Sequence, residues 1–199
     1  MASPYRTNMC TDQYLLHEMR IVARLRNAGL SDEAVLERVR TENLFQYPTT
    51  RKLERVAKGC LSRLDAMHDE TLAAELATGD SSLARQINLY GIICENRLAR
   101  DFMVTVVGEK YRTLDMSFER ADVEKFFARL QAQDDNVASW SESTVRKLQE
   151  VFRRMLVETG FLDSTSAQRL NPVLLNPILE NAIRSAGQER LLPAFGCLS

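Results

Sequence analysis

The feature that most limits what this chain can fold into is its apolar spacing, which runs at steps of three and four with little to interrupt it. Tyr14, Leu15, Met19, Val22 and Leu25 set the pattern near the start. Such spacing puts one stripe of a 3.6-residue helix against a core. Only 8 glycines and 5 prolines punctuate the 199 residues, too few turn formers for a protein of many short strands. A first helix is expected over about 11–28, closed by Gly29, since glycine takes the left-handed conformation that ends helices. Ser31 caps a second, 32–43, with Asp32 and Glu33 in its first turn, where the helix dipole favours acid. Leu44–Pro48 breaks the pattern, because a residue before proline avoids helical dihedrals. Further helices follow at 51–68 (capped by Thr49 or Thr50), 70–78, and from Asp80 or Ser81 to Tyr111 with a break near Asn96. Met103–Val107 is rich in β-branched residues, but its flanks read as helix and so does it. Then come 121–132, a polar loop at 133–139, a helix at 142–159 ended by Gly160, and 177–186 with Asn176 as cap and Pro177 in the first turn. Residues 1–10 read as a loose arm. The expected fold is all-α and compact, with an N-terminal region 1–112 and a C-terminal region 113–199, or a single unit formed by both.

The net charge of −1 argues against a general polyanion binder, so any nucleic-acid site must be a local basic patch. Cys10, Cys60, Cys94 and Cys197 have no metal or redox spacing, and His17 and His68 stand apart, so no metal site or cofactor is expected. No catalytic motif is present either. Asp134–Asp135 and Asp32–Glu33 read as solvated loop and helix-start acid, whereas a catalytic acid/base pair needs a partly buried carboxylate. Trp140, just before a helix, reads as a core anchor. The N-terminal residues lack the apolar core of a signal peptide, and no apolar run approaches the ~20 residues that span a bilayer. The chain is therefore expected in the cytoplasm, with no membrane association, and as a monomer on its own.

One internal similarity points to function. RKLERVAKGCL at 51–61 and RKLQEVFRRML at 146–156 share Arg, Lys, Leu, Val and a later Leu at equal offsets. Each follows a hydroxyl pair, Thr49–Thr50 or Ser143–Thr144. On a helix, Leu53, Val56, Ala57, Cys60, Leu61 and Leu64 share one face, with Arg51, Arg55 and Lys58 opposite and Lys52 and Arg63 on a flank. In the second copy, Val145, Leu148, Val151, Phe152, Met155 and Leu156 face inward. Arg146, Lys147, Arg153 and Arg154 face outward, interrupted by Glu150. A DNA-reading helix needs this division, since one face buries on a supporting helix while cations on the other reach phosphates and base edges. Thr50, Thr144 and the N–H groups of the helix starts would add phosphate contacts. The candidate DNA-binding residues are thus Thr50, Arg51, Lys52, Arg55, Lys58, Thr144, Arg146, Lys147, Arg153 and Arg154. The supports would be 32–43 and 121–132, giving two helix-turn-helix-like units with connections longer than the standard short turn. The competing reading is two solvated basic faces supported by pairs such as Glu54 with Lys58.

The segments ENLFQYPTTRKLERVAKGCLSRL (42–64) and WSESTVRKLQEVFRRMLVETGFL (140–162), with a C-terminal end rich in Pro and Leu, resemble the BrxA family. The resemblance covers about 11–195. Members are small core proteins of bacteriophage exclusion (BREX) systems. The resemblance implies an all-helical fold containing helix-turn-helix elements, double-stranded DNA binding and no catalytic activity. It also implies partnership with a methyltransferase, an ATPase, a phosphatase-like and a protease-like component. The family is similar as well to a transcription antitermination protein that binds RNA. RNA binding, and an adaptor role within the defence complex, therefore stay open as alternatives.

Overall fold

A computed structural model describes residues 4–11 and 13–197. Residues 1–3 of the expected arm, and Asp12 of the expected first helix, lie outside the described residues. Among the described residues, eleven α-helices fall in two compact units, 14–95 and 1–13 with 96–199, where the sequence reading divides the chain at 112/113. One isolated antiparallel bridge, Ser117 with Arg169, joins two loops.

The first unit holds α1 (Leu16–Asn27), α2 (Asp32–Glu42), α3 (Thr50–Met67), α4 (Glu70–Thr78) and α5 (Ser81–Glu95). α5 is buried continuously from Gln86 to Ile93, the mark of a helix enclosed on all sides. Met19 and Val22 of α1, Val35 and Val39 of α2, seven apolar residues of α3 and Leu72 and Leu76 of α4 complete the core. α1 starts later than the apolar pattern suggests, because side chains capture the Tyr14 carbonyl. It accepts from Asn88 Nδ2 at 2.6 Å and from Arg63 Nη1 at 3.2 Å. Leu15 then turns through a left-handed φ of 53° before the helix begins.

The second unit contains α6 (Arg97–Phe102), a π-helical segment Met103–Val107, α7 (Gly108–Arg112), α8 (Arg120–Gln133), α9 (Asp135–Ala138), α10 (Glu142–Glu158) and α11 (Pro177–Ser185). Asn96 makes the expected break, accepting from Ala99 N at 2.9 Å as the cap of α6. Residues 103–107 are helical, in the wider π form. The expected loose arm is corrected over its described part. Met9 is fully buried and Tyr5 nearly so. The Tyr5 hydroxyl donates to Asp101 at 2.8 Å, and Arg97 lies over its ring. The polar loop at 133–139 also holds a turn of helix, α9, capped by Asp134 and packed through the buried Val137. A 3₁₀ segment, Glu189–Phe195, was not legible as an element and buries Leu191, Leu192 and Phe195.

The core of this unit is aromatic. Phe102, Phe126, Phe127 and Phe152 are all buried, and their ring centroids lie 4.7–6.4 Å apart in the contacts between them. Such tilted and edge-on packing suits the ring quadrupoles. Gly108 sits where the C-terminal 3₁₀ segment crosses α7, and a Cβ there would lie 2.7 Å from the Pro193 carbonyl oxygen. Backbone cannot swing aside as a side-chain tip can. Gly108→Ala is therefore expected to destabilise by about 1–3 kcal/mol despite alanine's better helix propensity, read as a lower urea midpoint.

Candidate nucleic-acid interface

α3 divides as its periodicity requires. Leu53, Val56, Ala57, Cys60, Leu61 and Leu64 are all buried, while Arg51, Arg55 and Lys58 are exposed on the opposite side. α2 packs against α3 and is joined to it by residues 43–49, with left-handed φ at Asn43 and Gln46. Thr49 is the cap, its side chain accepting from Lys52 N at 3.4 Å, and Thr50 is the first residue inside the helix. The first turn of α3 is cationic. α2, α4, α8, α10 and α11 each carry acid there, whereas α3, like α5 and α6, carries none, and it presents Arg51 and Lys52. Cations at the positive end of a helix dipole cost stability and deepen the local positive potential. Lys52 is half-buried, with Nζ 3.7 Å from the centroid of the Tyr47 ring. Among the described residues, neither Arg51 nor Lys58 has a carboxylate within ion-pair distance.

α10 carries the second copy in a different helical register. Its cap is Ser141, which accepts from Thr144 N at 3.2 Å, so Ser143 and Thr144 lie inside the first turn. The repeated Arg-Lys-Leu segment consequently sits deeper in α10 than in α3. Arg146 pairs with Glu142 at 2.6 Å and Lys147 with Glu150 at 3.6 Å, all exposed. Exposed pairs of this kind are weak and easily rearranged. Arg154 is exposed, and Thr144 is half-buried against Ser141.

Two expected positions are corrected. Arg153 is 7% exposed rather than outward-facing. Its Nε and Nη2 donate to the carbonyls of Thr165 and Ala167, each at 2.8 Å, and its guanidinium lies over Phe118. Burial, and then the neighbouring charge of Arg120, push its pKa down. Arg63, expected on the flank of α3, is 1% exposed and lies near Glu95 inside the first unit. The long loop after α10 covers Arg153, and neighbouring helices enclose Arg63. Neither shows in the angular position of a residue on its own helix.

The sequence reading missed Arg120. It opens α8 and, with Arg146, Arg153 and Arg154, lines a cavity of about 470 Å³ between α8 and α10. The one available signal was an arginine in a helix's first turn, where the dipole disfavours it.

Among the described residues, no group of three or more His, Cys, Asp and Glu side chains is placed to hold a metal. No described helix is long and apolar enough to cross a membrane.

Fold and surface define a class: all-α proteins that hold basic amphipathic helices on aromatic and aliphatic cores. Within it, the chain belongs to the BrxA family, whose sequence model, described as BrxA, matches residues 3–187. A protein named "BREX protein BrxA" from Bacillus cereus (strain H3081.97) is 33% identical over 184 residues, 92% of each chain. Another of that name from Paramagnetospirillum magneticum (strain ATCC 700264 / AMB-1) is 24% identical over 193 residues, 96% of each chain. The crystal structure of an uncharacterized protein from Magnetospirillum magneticum shares the fold, with a TM-score of 0.82 at 21% identity over 97% of this chain and 98% of that one.

Proposed function

We propose that this chain is a non-catalytic, double-stranded DNA-binding component of a cytoplasmic BREX phage-defence system, a monomer alone and a partner of other BREX proteins. The name shared by its relatives supports the system. The observation that carries DNA binding is the cationic, acid-free first turn of α3, continued by Arg55 and Lys58 on the same exposed side. α2 acts as the supporting helix of a helix-turn-helix-like unit. Thr50, Arg51, Arg55 and Lys58 meet phosphates, with Lys52 held in place by Tyr47. Arg146, Lys147 and Arg154, with Thr144, form a secondary surface on α10, from which the buried Arg153 is excluded. Contacts to phosphate dominate such binding, so affinity should fall with salt at a slope near −0.9 per phosphate neutralised.

Arg51→Glu with Arg55→Glu is expected to abolish the gel shift of duplex DNA while circular dichroism stays helical, since both positions are exposed. Two charge reversals remove the cations and add repulsion, a loss of about a hundredfold or more at moderate salt. A normal shift by the double variant would reject this surface. Nuclease-resistant capture by another defence protein would then make the same helices a docking face, and stronger binding to RNA than to duplex would favour the antitermination-like role.

A further inference from the structure

The cavity between α8 and α10 has the composition of an anion site. Arg120, Arg146, Arg153 and Arg154 line it together with the carboxylates of Glu124 and Glu150. That leaves a surplus of two positive charges among the lining groups, while beyond the lining Glu150 is turned toward Lys147 at 3.6 Å and Arg146 toward Glu142 at 2.6 Å. Arg153 is the built part of the site. Its charge is buried, two of its nitrogens are fixed by loop carbonyls, and Nη1 has no hydrogen-bond partner. Among the described residues, Arg120, Arg153 and Arg154 have no carboxylate within ion-pair distance. A desolvated guanidinium beside a second arginine, offset only in part by the more distant charge of Asp122, is an unfavourable arrangement, and an anion in the cavity relieves it. Arg120 adds positive potential from the first turn of α8, a helix of 14 residues.

We propose that this cavity binds a compact phosphate-bearing ligand, either free phosphate or a mononucleotide, through Arg120, Arg146 and Arg154 against the buried Arg153. A phosphate monoester carries about −1.5 to −2 charges at neutral pH, which matches the surplus, and its oxygens suit guanidinium forks. The volume of about 470 Å³ suits a small molecule rather than a helical duplex. This assignment does not rest on duplex binding by α3.

The test uses the full chain, with inorganic phosphate and adenosine monophosphate as probes, against adenosine and sodium chloride at equal ionic strength. Calorimetric titration and thermal unfolding should show saturable binding of the phosphate probes, with a higher melting temperature than in matched chloride. Adenosine should have no effect. Tighter binding of adenosine monophosphate than of phosphate would identify a nucleotide site, and equal binding a phosphate site. Arg120→Gln with Arg154→Gln, both exposed and so harmless to folding, should weaken binding at least about tenfold, because hydrogen bonds to charged groups are lost. The Arg51→Glu/Arg55→Glu variant should bind the probes normally, which separates this site from the DNA surface. Stabilisation no greater than that from chloride, or unchanged affinity in the Arg120/Arg154 variant, would overturn the assignment.

Discussion

Phe152→Ala is expected to destabilise the chain by about 3–5 kcal/mol, the range for truncating a fully buried aromatic ring. Phe152 has no solvent exposure, and its ring lies 4.7 Å from Phe102, 5.7 Å from Phe127 and 6.4 Å from Phe126. Three large rings from α6 and α8 cannot all collapse into the space left behind, so most of the cavity persists. At roughly 2–4 °C per kcal/mol for a chain of this size, the midpoint should fall by about 10 °C. Thermal circular dichroism reads this directly, and a fall of only a degree or two would mean that Phe152 is not the centre of the cluster. The effect bears on function as well. Phe152 anchors α10 from inside and thereby holds Arg146 and Arg154 at the cavity wall, so the variant should also lose phosphate binding at temperatures where it remains folded.

Arg63→Ala is the second large effect, expected at about 3–5 kcal/mol because it removes one partner from a buried charge arrangement. The guanidinium donates to the Tyr14 carbonyl at 3.2 Å and stands 3.9 Å from the Glu95 carboxylate. Without it, the carbonyl keeps Asn88, while Glu95 loses its nearby positive charge. The stem of Arg63 is also part of the core, so packing is lost together with charge. Adding Glu95→Gln should recover part of the loss by removing the carboxylate that Arg63 faces. Urea unfolding of the single and double variants measures the coupling. Purely additive effects would show that the two side chains do not interact.

Arg63 and Arg153 mark where the sequence reading stopped. Leu53, Val56, Cys60 and Leu64 were legible as core because burial of a helix face follows from periodicity alone. Ser31 and Asn176 were legible as caps because the chemistry of a cap lies within three residues of chain. Arg63 and Arg153 lie at the edges of their polar faces, where helical angle cannot tell solvent from a covering segment. For Arg153 that cover is the stretch around Thr165 and Ala167, and for Arg63 it is Tyr14 and α5. The packing of the arm is hidden from its sequence for a related reason. Its few apolar residues have no period, yet Tyr5 and Met9 find places in the second unit.

By itself, then, the sequence determined the helices, most of their ends, the inward faces and the two basic segments, since each depends on neighbours within a turn or two. Only the tertiary structure decided which cations remain in solvent. It drew Arg63 and Arg153 inside, and it brought Arg120 to the same cavity as Arg146 and Arg154. The fate of a charge at a helix edge depends on which distant segment approaches it, and that is set by the packing of the whole unit rather than by local spacing.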